Sequence, residues 1–276
     1  MFELPELITL ASQVNRTLEG KAIAEGRLGN SPHKFVWYNR KPEEFAQLTR
    51  GKTVGEARTK GRWLFIPLEP GYVLLLGECG GKMLYHPVGT QTPEKYHLFL
   101  TFEDGSSLTV MTAMWGAMEL YESGKEQERQ YVIGMRTTPV DPGFTFDYFS
   151  ALIDELLKGA KRSVKSLLTQ DQLIPGLGNA IAQDIMFRAR LHPRRSLADL
   201  NPGQRRDLYT AIVDTVHEIT EKGGRNDETD LYGHSGGYLR LMDSKAAGKS
   251  CPECGTLVQK IQYLGGACYF CSKCQI

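Results

Sequence analysis

The chain reads as an α+β multidomain protein: an initial helix leads into a β-sandwich, a helical module follows, and a small cysteine finger closes the sequence. Three observations predict this. Apolar residues recur with a helical period at the N-terminus, gather into short runs between turn residues through the first half, and return to a helical period after residue 145. Four cysteines then stand in two close pairs near the C-terminus. A chain of 276 residues with 41% hydrophobic and 24% charged side chains is globular, and long enough to divide into more than one core.

Residues 5–18 form the first expected helix. Pro5 suits its first turn, Glu6 suits the positive end of the helix dipole, and Leu7, Leu10, Ala11, Val14 and Leu18 recur on one face. Short apolar runs follow. WLFIPL at 63–68 and YVLLL at 72–76 flank a turn containing Pro70 and Gly71, and HLFLTF at 97–102 and SLTVM at 107–111 flank a turn containing Asp104 and Gly105. Two consecutive hairpins predict sheet-on-sheet packing. Residues 1–125 are therefore assigned to the β-sandwich, and 126–145, charged and then interrupted by Pro139, Pro142 and Gly143, to a linker.

The helical module is expected over 146–247, with helices at 146–157, around 161–169, from Asn179 to about 190, and from about 204 to 222. The last carries Leu208, Ile212, Val213, Val216 and Ile219 on one stripe and stops at Gly223 and Gly224. Between the second and third lies IPGLGN at 174–179, a glycine-rich turn that opens onto a helix. It can approach a phosphate with its backbone N–H groups, or simply connect two packed helices. The loop at 223–237 holds Asp227, Asp230, Tyr232 and His234, and reads either as an exposed flexible loop or as a lid.

Residues 248–276 carry CPEC, with Cys251 and Cys254, and CSKC, with Cys271 and Cys274. Two C-x2-C pairs separated by a spacer long enough for a hairpin can bring four thiolates onto one tetrahedral ion, so one structural zinc is expected. Two disulfides would suit a secreted protein. No signal peptide is visible, and no apolar run approaches the roughly 20 residues of a membrane span, so a cytoplasmic, non-membrane protein is expected. Cys79 and Cys268 fall outside the pattern. The formal net charge of +1 announces no polyanionic partner, but from 158 to 195 eight basic residues face only two acidic ones, as a phosphate-binding surface requires.

Together, E-L-P-E at 3–6, a β-rich first half, the helical pair around G-L-G-N and the four-cysteine finger resemble the formamidopyrimidine-DNA glycosylase / endonuclease VIII family of base-excision repair enzymes. The resemblance spans the chain. It implies a helix–two-turn–helix DNA-binding module, a finger hairpin laid on damaged double-stranded DNA, and a monomer acting on a flipped base. It places Glu3 at the damaged-base pocket as general acid or base and gives Glu6 a positioning role, although two carboxylates three apart at a helix start also suit simple capping. It makes Lys165 and Asn179 phosphate contacts and puts the void-filling residues near Cys79, Ala113 and Trp115. Of these only Trp115 is a credible wedge, with core packing as its other reading.

Two departures fall where the chemistry should be. Members begin M-P-E-L-P-E and attack the sugar with the amine of the processed proline. Here Phe2 stands at that position, so Met1 is expected to be retained, with a displaced, primary amine. Arg62, in the run Lys60, Gly61, Arg62, replaces the family's strand lysine; it keeps a charge for phosphate but cannot shuttle a proton. Lys60 is expected on the same strand face about 7 Å away, too far to replace the lost amine without a local shift, and is assigned to DNA binding. Gly266 replaces a phosphate-gripping arginine. The expected function is a DNA glycosylase with doubtful abasic-site lyase activity; the alternative is a catalytically silent sensor of damaged or distorted DNA, and a scaffold moved to RNA or protein is a third possibility.

Overall fold

A computed structural model describes every residue except 32–33, 78–79 and 160. The chain divides into two compact units. The first comprises Met1–Met135 with Thr220–Tyr238, and the second Arg136–Ile219 with Leu239–Ile276.

The first unit opens with helix α1 (Leu4–Thr17) and strands β1 (Ile23–Leu28) and β2 (Val36–Tyr38). Helix α2 (Pro42–Thr49) and strands β3 (Thr53–Val54), β4 (Arg58–Lys60), β5 (Trp63–Glu69) and β6 (Tyr72–Gly77) follow. Strands β7 (Gly81–His86), β8 (Leu98–Phe102), β9 (Ser107–Thr112) and β10 (Gly116–Glu122) complete it. One sheet has the order β1-β8-β9-β7, the other β2-β10-β6-β5-β3 with β4 also pairing β5. Both expected hairpins are present, β5 with β6 and β8 with β9. Their inner faces share a core in which Leu64, Ile66 and Leu76 of one sheet meet Leu98, Leu100 and Val110 of the other, with Leu7, Leu10 and Val14 of α1. This is the predicted sandwich with its initial helix.

The run WLFIPL lacks polar alternation because β5 is buried on both faces. Leu64 and Ile66 face the sandwich core, while Trp63 and Phe65 belong to a second cluster with Val73, Leu75 and Val132. Val132 supplies the reason that the expected linker differs from the structure. A 3-10 turn at Lys125–Glu128 buries Glu126, Arg129 pairs with Glu119 at 2.9 Å, and the chain through Met135 covers the outer face of the sheet.

The second unit holds α3 (Phe146–Leu157), α4 (Val164–Thr169), α5 (Asn179–Arg188) and α6 (Pro202–Glu221), whose last two residues fall in the first unit. Ser163 caps α4 in a reciprocal capping box. The 170–178 turn then reverses the chain with Asp171 and Gln172 at positive φ, and the Gln172 side chain accepts from the Gly176 N–H at 3.0 Å. The finger hairpin is β11 (Gln259–Tyr263) paired with β12 (Gly266–Phe270). No helix among the described residues is long and apolar enough to cross a membrane.

Candidate active site and metal centre

Glu3 is the N-cap of α1, and the capping box is complete: the Glu3 carboxylate accepts from the Glu6 N–H and Glu6 Oε2 from the Glu3 N–H, the latter at 2.9 Å. Both carboxylates are buried. Phe2, where the family has proline, is buried in the sandwich core, which anchors the chain immediately before the cap. So far the pair does what helix-start carboxylates ordinarily do.

The loop after α6 changes that. Arg225 is only 2% exposed and reaches into the start of α1. Glu6 Oε1 accepts from its backbone N–H at 3.0 Å and its Nε at 2.9 Å, and Oε2 accepts from Nη2 at 3.1 Å. Nη2 also donates to the Met1 carbonyl at 2.8 Å, and Nη1 lies 3.9 Å from Glu3. Glu228, 3.6 Å from Arg225, holds the Met1 amine at 2.5 Å. Desolvation opposes the guanidinium charge, but Glu6, Glu3 and Glu228 outweigh it and raise the Arg225 pKa above the usual arginine range. Gly224 makes the approach possible: at φ +107° it sits where a Cβ would meet Glu6 Cγ at 3.2 Å.

Elsewhere in 223–237 the chain is tied down around Asp230 and Leu231, against the expectation of a wholly exposed flexible loop, while Asp227 and residues 232–235 are exposed. Leu231 is in the sandwich core, its N–H donates to Gln13 at 2.8 Å, and its carbonyl accepts from Tyr85 at 2.8 Å. Asp230 accepts from Gln13, from the Tyr232 N–H and from the His234 N–H within 2.9 Å. Tyr232 shares a 2.7 Å hydrogen bond with Thr17. Sequence reading named Asp227, Asp230, Tyr232 and His234 in this loop and missed Arg225 and Glu228.

Lys60 and Arg62 do not share a strand face. Gly61, at φ +58°, turns the chain between them, so Lys60 ends β4 opposite Trp63 while Arg62 lies in the turn, with Nη1 3.9 Å from the Met1 sulfur. Trp115 is not core packing: it is 39% exposed and stacks on Trp37, with ring centroids 5.4 Å apart. Ala113 is exposed beside it, and Cys79 lies outside the described residues.

In the second unit Lys165 departs from its expected part. It is 1% exposed, and its ammonium donates to the carbonyls of Tyr263 at 2.6 Å and Gly266 at 3.1 Å, both at the tip of the finger hairpin. A long cation beside two turn carbonyls caps them, as backbone acceptors inside a protein require. Asn179, at the start of α5, is exposed; its Nδ2 donates to Ala267 at 3.3 Å and its Oδ1 accepts from Gln183 at 3.2 Å. Gln183 also bonds the hairpin, accepting from the Tyr269 N–H at 3.0 Å.

Cys251, Cys254, Cys271 and Cys274 converge, their sulfurs all within 4.8 Å of one another. Four thiolates about 2.3 Å from one ion stand about 3.8 Å apart in a tetrahedron. The Cys251 to Cys274 and Cys254 to Cys271 separations of 3.9 and 3.5 Å fit that figure. Backbone bonds pre-shape both turns, from the Gly255 N–H to the Cys251 carbonyl and from the Gln275 N–H to the Cys271 carbonyl, each 2.9 Å. Cys268 is buried in β12 and outside the cluster.

Buried paired carboxylates in a sandwich unit, with a helix–two-turn–helix and a four-thiol hairpin in the other, define the class of helix–two-turn–helix DNA-repair proteins. Sequence comparison narrows the class. The profile of the formamidopyrimidine-DNA glycosylase N-terminal domain matches residues 1–116, and that of the family's H2TH domain matches 137–229. The chain belongs to the formamidopyrimidine-DNA glycosylase family. It is 30% identical over 288 residues to the formamidopyrimidine-DNA glycosylase of Lactobacillus delbrueckii subsp. bulgaricus, covering 100% of this chain and 99% of that one. It is 28% identical over 280 residues to the enzyme of Halalkalibacterium halodurans, covering 100% of both. Among solved structures, Lactococcus lactis Fpg in complex with DNA containing an abasic site superposes with a TM-score of 0.86 at 21% identity, over 99% of each chain. MutM (Fpg) of Thermus thermophilus gives 0.81 at 25% identity, over 99% of this chain and 98% of that one.

Proposed function

We propose that this protein is a base-excision DNA glycosylase that binds damaged duplex DNA and removes a flipped base by water attack, without an amine-linked intermediate. The observation that carries the reading is the state of the first three residues. Phe2 is locked in the core where a proline amine would be needed, the Met1 amine is ion-paired to Glu228, and Glu3 remains at the helix start beside the Arg225 cation.

In this reaction water adds to C1′ of the sugar as the bond from C1′ to the base nitrogen breaks. Glu3, an acceptor-only group while ionised, takes one proton of the water and hands it on to the nitrogen of the departing base, so that the carboxylate is restored. Glu6 and Arg225 hold the start of α1 so that Glu3 keeps its place. Asn179 and the basic residues at 158–195 other than Lys165 contact phosphates, and Arg62 and Lys60 add charge at the β4–β5 turn. The four cysteines hold one zinc ion, which supplies a rigid knuckle for the hairpin and takes no part in the reaction. A four-thiolate site suits a reducing compartment, which supports the reading of a cytoplasmic protein, and a monomer is the form proposed.

Glu3→Gln separates chemistry from binding. Base release from duplexes carrying oxidised, alkylated or deaminated bases is expected to fall by about a hundredfold or more in the variant while duplex affinity holds. A variant that releases base at the wild-type rate sinks the assignment. A second reading, a silent sensor of damaged DNA, is favoured by one observation: Arg225 already engages both carboxylates that catalysis would use. Wild-type protein that prefers damaged duplex yet releases no base from any of these substrates would establish it.

A further inference from the structure

The first unit exposes an aromatic surface that no step above uses beyond a single wedge. Trp37, on the edge strand β2, is 44% exposed. Its ring lies 16° from the plane of Trp115 at a centroid distance of 5.4 Å, and Phe35 extends the group at 4.5 Å from Trp115. Met114, beside Trp115, is exposed as well. Strand pairing holds the two segments together: Gly116, Ala117 and Met118 of β10 run parallel to Val36, Trp37 and Tyr38 of β2. The indoles therefore stand on two adjacent backbones, not on one free loop. Large apolar rings left in water cost free energy in proportion to their area, and a contiguous exposed group of them marks a binding surface.

The surroundings choose the occupant. Neither 34–38 nor 111–116 contains an acidic residue. The Lys34 ammonium lies 4.7 Å from the centre of the Phe35 ring, and exposed Lys82 is the register partner of Met111 on the neighbouring strand. Flat aromatic faces with cations at their margin and no anion match a nucleobase with its phosphate, since every base has a face to stack and every linkage a charge to pair. A base stacked inside a paired duplex has both faces covered; an unpaired base that leaves the stack frees a face.

We propose that Trp37 and Trp115 form a two-ring platform that stacks an unpaired nucleobase next to the lesion, giving this protein a preference for damaged DNA whose neighbouring bases are unpaired. The inference rests on the DNA-binding reading above and adds to it a second base position, at Trp37. The chain has three tryptophans, and the third, Trp63, is 2% exposed, so the platform carries the accessible indole emission.

The test uses the full-length zinc-loaded protein and three labelled abasic-analogue DNAs: a fully paired duplex, the same duplex with a three-nucleotide bubble at the lesion, and the single strand. Wild-type protein should bind the bubble most tightly, with quenching of tryptophan emission. Trp37→Ala should weaken bubble binding by about 5- to 150-fold, the range for one lost base stack, and leave the paired duplex nearly unchanged. Trp37→Phe, which keeps a ring and the fold, should recover most of the loss. Equal wild-type affinity for bubble and paired duplex, with unquenched emission, overturns the platform and leaves the glycosylase reading standing. Tight bubble binding that Trp37→Ala does not weaken also overturns it. Failure of the wild type to bind any of the three DNAs overturns the DNA-binding reading itself, and the platform with it.

Discussion

Glu6 is the residue whose part changes most between sequence and structure. As a first-turn carboxylate it would contribute about 0.3–1 kcal/mol through the helix dipole. In the folded chain it is the main anion for a buried guanidinium, accepting three hydrogen bonds from Arg225. Removing the principal anion of a buried cation costs up to about 3–5 kcal/mol, and Glu3 and Glu228 offset only part of the charge left behind. Glu6→Gln should therefore lower the stability of the first unit by that amount, a thermal midpoint shift of roughly 6–20 °C. Urea melts of the two proteins decide it, and a loss below about 1 kcal/mol would return Glu6 to simple capping. Sequence made Glu3 and Glu6 visible because they lie three apart at a helix start. Arg225 was hidden because Glu3 and Glu6 stand more than two hundred positions away, and a lone arginine after two glycines has no periodicity to betray it. Trp37 was hidden for a similar reason: a three-residue edge strand is too short to show alternation.

At the scale of elements, the finger hairpin depends on two supports. One is the metal proposed at the four cysteines of its base. The other is the pair Lys165 and Gln183, whose side chains bond its backbone at Tyr263, Gly266, Ala267 and Tyr269. Chelation of zinc should abolish amide protection in β11 and β12 while the sandwich strands stay protected, because metal binding is the folding free energy of such a small hairpin. Cys251→Ser with Cys274→Ser should reproduce this without chelator; protection that survives both treatments would show that the ion is dispensable. Lys165→Met should weaken the hairpin tip by about 1–3 kcal/mol, the cost of unmet buried acceptors. It should leave the salt dependence of DNA affinity nearly unchanged, because a capped, buried ammonium releases no counterion from DNA. A salt slope shallower by about one would show that Lys165 turns to a phosphate in the complex. The cysteine spacing announced the four-thiol cluster, since tight C-x2-C turns are local. Lys165 misled because a cation beside a glycine-rich turn looks the same in sequence whether it faces solvent or a carbonyl.

For the whole molecule, the order of sandwich, helical module and finger was legible, because each changes the apolar period or the residue chemistry. The boundaries were less so. Charged residues at 122–129 resemble a linker, yet Glu126 is buried and Val132 seals the outer face of β5, a contact with no signature in local pattern. The loop at 223–237 likewise returns to the first unit through long-range bonds alone. What unites these features is an N-terminus rebuilt around Phe2, Arg225 and Glu228, in which the carboxylate persists and the amine is tied down. The most direct measurement of that claim takes wild-type protein, a duplex with one excisable damaged base, and borohydride in the same reaction. Base release should proceed, the abasic strand should remain intact, and no covalent protein–DNA adduct should accumulate. An efficiently trapped adduct with strand scission, mapped to Met1 or to Lys60, would contradict it.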